Sequence, residues 1–310
     1  MSLFERARGV FRPKSVAAPG EPAIRGVGLA LGGGFARGFA HLGVLKVLEE
    51  NNIRVTHIAG SSIGSLLGAA YAAGESIDKI AAEGRRIRFR DFGRWTLSKL
   101  GLASNDRLGE LVRRTFRVLT FEQLRIPTAV VATDLGTGEP FVFSSGRLDE
   151  AIRASCAFPG LFEPVQCGQR WLADGGLVAP VPALAAREMG ARLVIGISVG
   201  FNHWNGEVHT NLFQVVNRAV SAAQKNQGAA WRGYADLVIE PEVYGIDWDH
   251  FHRVDEAVAA GAAAMRAALP QLTYLLARPR GLRKANARKL SAAAPQPGQE
   301  GAGASGAAQP

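Results

Sequence analysis

Short apolar runs alternate with stretches of helical periodicity in the first part of the chain. Residues 27–31 alternate large apolar side chains with small ones, which is typical of a buried strand, and residues 39–48 carry apolar side chains at helical spacing. The apolar run 53–59 predicts a second strand, and the small-residue run 66–73 predicts a second helix. Because neighbouring parallel strands need a crossover connection, this order predicts an α/β fold with a mainly parallel sheet.

The rest of the domain continues this alternation. A Gly-Thr-Gly turn at 136–138 joins two strands and predicts a hairpin. The further predicted helices cover residues 76–88, 107–117, 148–156, 182–189, 212–227, 255–269 and 271–276, and the further strands cover 127–135, 139–144, 192–199 and 237–240. These elements predict one domain over residues 24–277.

The two ends of the chain differ in composition from this domain. Residues 1–23 are basic, with apolar positions on one helical face, which suits either a short amphipathic helix at a membrane interface or a disordered tail. Residues 278–310 begin with Arg and Lys and continue in Ala, Gly, Pro and Gln, a composition that predicts a disordered tail. Much of the net charge of +9 lies in these two segments.

The bulk composition narrows the classes of protein to consider. The hydrophobic content of 47% is ordinary for a globular core, no apolar run is long enough to span a membrane, and the first residues lack the apolar core of a signal peptide. Two cysteines, Cys156 and Cys167, cannot form a disulfide framework or a metal cluster. The expected location is the cytoplasm, either free or peripheral on the inner face of the cell membrane.

The positive charge points to an anionic partner. Residues 85–95 interleave arginines with apolar side chains, which suits either a solvated helix end or a rim that contacts anionic lipid head groups. No signature of a nucleic-acid-binding fold is present in the sequence. A lipid surface is therefore a more plausible partner than nucleic acid, and the sequence does not indicate an oligomeric state.

The segment 60–64 has the pattern of a nucleophile elbow. Gly60 and Gly64 flank Ser62 in the order Gly-x-Ser-x-Gly, between the strand 53–59 and the helix 66–73. Such a turn holds a serine hydroxyl exposed at the end of a sheet, and its glycines allow the close approach of neighbouring backbone. The pattern also arises by chance, so its context decides whether Ser62 is a nucleophile.

A glycine loop lies one crossover upstream of this elbow. Gly32, Gly33 and Gly34 follow the first strand and precede the first helix. Glycines let several backbone N–H groups turn toward one point, and the helix adds its positive N-terminal end. In a parallel sheet the two strand ends share an edge, so this loop is the candidate oxyanion hole for Ser62.

The general base is the open question, because six histidines and one turn carboxylate are candidates. The histidines are His41, His57, His203, His209, His250 and His252, and none lies in a glycine-framed turn. Asp174 follows an apolar strand and precedes Gly175 and Gly176, a turn that would present its carboxylate at a sheet edge. Such an aspartate is either a general base with a tuned pKa or a turn residue that accepts backbone N–H groups.

Four segments in order resemble the patatin-like phospholipases, specifically their bacterial branch related to neuropathy target esterase. They are the glycine-rich segment 32–44, the elbow 60–64, the segment 154–164 with the sequence Ala-Ser-Cys-Ala-Phe-Pro-Gly-Leu-Phe-Glu-Pro, and Asp-Gly-Gly at 174–176. The resemblance implies a three-layer α/β/α sandwich. It also implies a serine–aspartate dyad without histidine, with Ser62 as nucleophile and Asp174 as base, and no metal or cofactor.

The resemblance places the oxyanion hole at Gly32, Gly33, Gly34, Arg37 and Gly38, with the Arg37 side chain lining or bracing the loop. Phe35 departs from the pattern, because some members carry a further glycine at that position, and this leaves open which amides donate. The implied activity is hydrolysis of the carboxyl esters of phospholipids or lysophospholipids through an acyl-enzyme.

Three other interpretations fit parts of the pattern. The order of Ser62, Asp174 and the late histidines permits the Ser-His-Asp triad of an α/β-hydrolase. A glycine loop between a strand and a helix also binds nucleotide phosphates, although the strand 53–59 ends in no acidic residue for a ribose and no Gly-Lys-Ser/Thr occurs. A non-catalytic lipid-binding protein with a relic site is the third.

Overall fold

The computed structural model describes residues 26–88, 91–96, 98–200 and 212–277. Its strands, in chain order, are β1 (Val27–Leu31), β2 (Val55–Ser61), β3 (Arg94–Trp95), β4 (Ala103–Ser104), β5 (Thr128–Asp134), β6 (Pro140–Phe143), β7 (Val165–Cys167), β8 (Arg170–Asp174), β9 (Val194–Ile197) and β10 (Leu237–Ile239). Its α-helices are α1 (Ala40–Glu50), α2 (Ile63–Ala72), α3 (Ile77–Arg86), α4 (Asp106–Thr115), α5 (Leu148–Ser155), α6 (Ala183–Glu188), α7 (Leu212–Arg232) and α8 (Val254–Ala277).

Five strands form the parallel part of the main sheet, in the order β10-β9-β1-β2-β5. Strands β6, β7 and β8 extend this sheet through antiparallel pairs, and β3 and β4 form a separate hairpin. The expectation of a mainly parallel central sheet is confirmed. The hairpin predicted around 136–138 is also present, because β5 pairs with β6 in antiparallel register.

Helices cover both faces of this sheet. Leu29 and Leu31 of β1 belong to a large core that includes side chains of α1, α2 and α8, whereas Ala30 belongs to a second core with α6 and Trp231. Successive side chains on a strand point to opposite faces, so these two cores are the two sides of one sheet. The result is the three-layer α/β/α sandwich expected from the sequence.

The structure differs from the sequence prediction at the last helix. Helix α8 is continuous from Val254 to Ala277 with Pro270 inside it, and the predicted break between residues 269 and 271 is wrong. Met265 and Leu272, on either side of Pro270, are both fully buried. We infer that packing against the core on both sides of the proline outweighs its unfavourable effect on the helix.

Two elements have no counterpart in the prediction. These are the β3–β4 hairpin and strand β7, which have only two or three residues in each strand. Strands this short show no readable alternation of apolar and polar positions. The predicted terminal segments, 1–23 and 278–310, lie outside the described residues.

Candidate active site

Ser62 occupies a sharp turn between β2 and α2. Its φ of 53° and ψ of −129° lie in a region that residues other than glycine rarely adopt. A Cβ atom on Gly60 would lie 2.5 Å from Ser65 Cα, and a Cβ atom on Gly64 would lie 2.2 Å from the carbonyl oxygen of Leu31. The two glycines of the elbow are therefore required because neighbouring backbone passes too close for a side chain.

Asp174 reaches Ser62 because β2 and β8 occupy the same edge of β5. Ser61, the last residue of β2, pairs with Val131, and Asp174, the last residue of β8, pairs with the next residue, Ala132. Strand β6 pairs with both residues of β5 from the opposite edge. The C-terminal ends of β2 and β8 therefore meet, and the Ser62 hydroxyl donates a hydrogen bond of 2.7 Å to Asp174 Oδ2.

The Asp174 carboxylate is buried and accepts two hydrogen bonds. Its other oxygen, Oδ1, accepts from the Gly176 N–H at 2.8 Å. Burial raises the pKa of Asp174 to about 6, and the hydrogen bonds from Ser62 and Gly176 act in the opposite direction. A Cβ atom on Gly175 would lie 1.9 Å from the carbonyl oxygen of Val131, so close packing requires glycine there. A general base works best when its pKa lies near the working pH, and a pKa of about 6 meets this condition close to neutrality.

Ser155 fixes the backbone of the elbow, a role that the sequence analysis did not identify. The Ser62 N–H donates to Ser155 Oγ at 2.9 Å, and the Ser155 hydroxyl donates to the carbonyl oxygen of Val131 at 2.6 Å. Ser155 is fully buried at the end of α5. It lies within the segment 154–164, so that motif carried the signal that could have identified it.

We expect Ser155→Ala to weaken both stability and turnover. The Ser62 N–H would lose its partner, and an unsatisfied buried donor costs about 1–3 kcal/mol. The free energy of unfolding, measured with urea, should fall by about that amount, and ester hydrolysis should fall because the strained elbow loses a support. Ser221→Ala is the matched control, since the only bond of the buried Ser221 hydroxyl among the described residues is to Asn217 O in its own helix. Equal losses in both variants would contradict this role.

Two of the three loop glycines use their N–H groups within the fold. Gly32 N–H and Gly33 N–H donate to the carbonyl oxygens of Ile197 and Pro180, at 3.0 and 3.2 Å. Gly34 N–H has no hydrogen-bond partner among the described residues. Gly34 is therefore the one loop glycine whose N–H makes no hydrogen bond within the described part of the chain, which makes it the candidate oxyanion donor of the three.

The residues after the loop form a 3₁₀ turn that packs against the elbow. A Cβ atom on Gly33 would lie 3.2 Å from Ser62 Cβ, and one on Gly38 would lie 2.3 Å from Ile63 Cγ2. Gly38 thus lets the turn approach the residue that follows the nucleophile. Arg37 is buried in the same turn, and burial lowers its pKa to about 10, which leaves it charged at neutral pH.

The described histidines make no hydrogen bond to the dyad. His41 is fully buried, its Nε2 lies 2.8 Å from the carbonyl oxygen of Gly32, and burial lowers its pKa to about 4. His57 lies in β2 with its Nδ1 at 3.1 Å from Thr56 Oγ1, and His250 approaches Asp247. His203 and His209 lie outside the described residues.

The sequence matches the family model for patatin-like phospholipase over residues 29–187. The chain belongs to this family. That interval contains the glycine loop, the elbow and Asp174, so the resemblance noted from the four motifs is confirmed. The structure also accounts for the motif glycines through the backbone contacts described above.

Similar proteins occur in bacteria and animals. An uncharacterized NTE family protein of Mycobacterium bovis is 38% identical over 190 residues, which cover 59% of this chain and 52% of that protein. Patatin-like phospholipase domain-containing protein 6 of Mus musculus is 35% identical over 188 residues, which cover 56% of this chain and 13% of that protein. The matched region thus spans about half of the first relative and a smaller part of the second.

One similar solved structure is VipD from Legionella pneumophila. The two superpose with a TM-score of 0.49 and 14% identity, covering 80% of this chain and 67% of that chain.

Two cavities of different composition border Ser62. One has a mixed lining, in which Ser62, Asp174, the glycine loop and Asn217 and Gln224 of α7 are joined by the apolar side chains of Phe35, Phe158 and Val220. The other is lined by Ser62 and mainly apolar side chains, among them Ile63, Leu66, Leu108, Phe162 and Phe251. The surroundings of Ser62 are therefore mixed on one side and almost wholly apolar on the other.

Phe35, which stands where the sequence analysis noted a glycine in some family members, has a backbone conformation that suits glycine. Its φ of 51° is the left-handed conformation that glycine adopts most easily. Its ring packs edge-on against Phe158 and Trp248, with centroid distances of 5.4 and 5.6 Å. Aromatic packing of this kind contributes about 0.5–1.5 kcal/mol per pair, which is enough to offset much of the backbone strain.

Two kinds of feature are absent from the described residues. No helix there combines the length and the apolar character of a membrane span. No group of three or more His, Cys, Asp or Glu side chains there is arranged to hold a metal ion.

Proposed function

We propose that this protein is a serine acyl hydrolase that cleaves carboxyl esters of phospholipids or lysophospholipids through a dyad of Ser62 and Asp174. The observation that carries this proposal is the hydrogen bond of 2.7 Å from the Ser62 hydroxyl to a buried carboxylate, with no histidine between them. Membership of the patatin-like phospholipase family supports the lipid ester as substrate.

The mechanism begins with proton transfer from Ser62 to Asp174. The Ser62 oxygen attacks the ester carbonyl carbon, and Asp174 Oδ2 takes the hydroxyl proton as the bond forms. The tetrahedral intermediate collapses with cleavage of the bond to the alcohol oxygen, and Asp174 returns the proton to that leaving group. A water molecule then gives a proton to Asp174 and attacks the acyl-enzyme. As this second intermediate collapses, the bond between the acyl carbon and the Ser62 oxygen breaks, Asp174 returns the proton to that oxygen, and the fatty acid leaves.

The oxyanion is stabilised by the glycine loop and by a helix N-terminus. Gly34 is the donor we propose, because the N–H groups of Gly32 and Gly33 already bind carbonyl oxygens of the fold. Ser62 directly precedes α2, so the positive end of that helix favours negative charge on the attacking and carbonyl oxygens. Arg37 and Gly38 hold the loop against the elbow rather than donate to the substrate.

The two cavities at Ser62 support an ester with one apolar and one polar part. The apolar cavity accommodates the acyl chain, since its lining includes Leu66, Leu108 and Phe162. The mixed cavity, to which Asn217 and Gln224 contribute polar side chains, accommodates the glycerol and head-group side of the ester. This division matches a phospholipid or lysophospholipid better than it matches a uniformly polar ester.

The decisive experiment is hydrolysis of a panel of lipid esters, combined with active-site labelling. Wild-type protein is expected to release fatty acid from phospholipids or lysophospholipids, and a fluorophosphonate probe is expected to label Ser62, as located by mass spectrometry. His203→Ala and His209→Ala are the controls for a triad. Full activity in both supports the dyad, whereas loss of activity in either folded variant would replace it with a Ser-His-Asp mechanism.

We expect kcat/KM for a soluble, non-ionising ester to rise with pH and to level off above neutrality. Asp174 must be ionised to act as base, and its pKa is raised to about 6 by burial. Activity at pH 5 should be about tenfold below that at pH 7. A carboxyl group has a small ionisation enthalpy and an imidazole a large one, so the inflection should move little with temperature. A strong downward shift on heating would point to a histidine base.

A further inference from the structure

Three large apolar side chains are exposed on the hairpin formed by β3 and β4. Trp95, Leu100 and Leu102 are 70%, 55% and 50% exposed. A single exposed apolar side chain is ordinary on a protein surface, but three within one short hairpin form a patch. The strands pair at Arg94 with Ser104 and at Trp95 with Ala103, and the Thr96 N–H donates a hydrogen bond of 3.1 Å to the carbonyl oxygen of Leu102.

Two cations flank this apolar patch. Arg94 and Lys99 are exposed, and neither forms an ion pair within the described part of the chain. The sequence has no Asp or Glu between residues 92 and 104. A tryptophan and leucines surrounded by uncompensated cations suit the boundary of an anionic bilayer, where indole rings lie at the level of the head groups and cations meet lipid phosphates.

The base of the hairpin is joined to the wall of the apolar cavity. Ala103 exchanges backbone hydrogen bonds with Leu161 and Glu163, at 2.9 and 3.0 Å. Phe162, which lies between those two residues, lines the apolar cavity together with Ser62. The exposed patch and the cavity are therefore connected through one aromatic residue.

We propose that the β3–β4 hairpin inserts Trp95, Leu100 and Leu102 into the interface of an anionic lipid bilayer and so holds the apolar cavity against the membrane. An acyl chain could then pass from the bilayer into the cavity at Ser62. This delivery of substrate rests on the proposed function, whereas the contact between the hairpin and the lipid does not.

The test is binding to vesicles of phosphatidylcholine and phosphatidylglycerol in equal amounts, measured by co-sedimentation. The combined variant Trp95→Ser, Leu100→Ser, Leu102→Ser is expected to bind about 100-fold more weakly than wild type, because three apolar side chains lose their burial in lipid. Tyr274→Ser is the matched control, since Tyr274 is 58% exposed outside the hairpin, and its binding should equal that of wild type. Trp95→Ser alone should weaken binding about tenfold if the combined variant misfolds.

The charge is tested separately from the apolar patch. Arg94→Gln with Lys99→Gln should weaken binding to the anionic vesicles about tenfold and should leave binding to pure phosphatidylcholine vesicles unchanged. Failure of wild type to bind the anionic vesicles, or equal binding by wild type and the combined hairpin variant, would overturn the proposal.

Hydrolysis of a soluble short-chain ester separates this proposal from the proposed function. The hairpin variants should hydrolyse that ester as fast as wild type, while their activity on vesicles falls with binding. If wild type hydrolyses no ester but binds vesicles through the hairpin, the proposed function fails and the membrane contact stands. If the hairpin variants lose activity on the soluble ester as well, the hairpin has a structural role and the proposal is wrong.

Discussion

Asp174→Asn is expected to lower the turnover of ester hydrolysis by about 10²–10⁴-fold and to make the protein more stable at neutral pH. The amide cannot take the proton of Ser62, and loss of a general base removes about 10²–10⁴ in rate. The amide oxygen still accepts from the Gly176 N–H as the carboxylate does, so the turn at residues 174–176 keeps its shape. The loss of activity therefore reports on proton transfer.

The gain in stability follows from the raised pKa of Asp174. Burial raises that pKa from 3.8 to about 6, so the native state disfavours the ionised form relative to the unfolded chain. The stabilising effect of a protonated Asp174 is complete below pH 3.8 and is lost as the pH rises to about 6. Removing the charge should thus raise the free energy of unfolding at pH 7 by roughly 3 kcal/mol, and by much less at pH 4.

The matched control is Asp149→Asn, for which the expected change in the free energy of unfolding has the opposite sign. Asp149 is also buried, but although burial acts to raise its pKa, hydrogen bonds and charges from Arg147 and Arg113 hold the pKa below its usual range. Loss of this charge should destabilise the protein above pH 4. Urea denaturation from pH 4 to 8 checks both variants. An Asp174→Asn protein that is less stable than wild type at pH 7, or that keeps its activity, would contradict the proposed base.

The elements of the active site could be predicted where a local pattern determines them. The elbow is such a case. Gly60, Ser62 and Gly64 lie within five consecutive residues, and each glycine is required because neighbouring backbone passes too close for a side chain. The candidate base was also found locally, because Asp174 follows an apolar strand and precedes two glycines. The pairing of Ser62 with Asp174 came from the family resemblance, since 112 positions separate the two residues.

The remainder of the site depends on contacts between distant segments. The ends of β2 and β8 meet because both strands pair with the same edge of β5, β2 along its first residues and β8 along its last. No local sequence pattern predicts this change of partner. Local pattern likewise does not show that the N–H groups of Gly32 and Gly33 donate to the carbonyl oxygens of Ile197 and Pro180. Ser155 resembles any buried serine near a helix end until its bond to the Ser62 N–H is seen. Packing on both sides of Pro270 likewise keeps α8 continuous.

Ser62→Ala and Ser62→Gly are expected to abolish hydrolysis equally and to differ in stability. Both remove the nucleophile, which lowers turnover by about 10⁴–10⁶-fold in enzymes whose catalytic groups act as a unit. The φ of 53° and ψ of −129° at this position strain a residue with a Cβ atom but not glycine, and such strain costs about 1–3 kcal/mol. The greater freedom of glycine in the unfolded chain offsets part of that difference.

The free energy of unfolding of Ser62→Gly should therefore be about 1 kcal/mol higher than that of Ser62→Ala. Ser65→Gly and Ser65→Ala form the matched pair, because Ser65 lies inside α2, where glycine is less stable than alanine by about 1 kcal/mol. Opposite orders in the two pairs would show that the elbow holds its serine against the preference of the backbone. The same order in both pairs would mean that no strain is stored at Ser62, and hydrolysis by either Ser62 variant would mean that another residue attacks the ester.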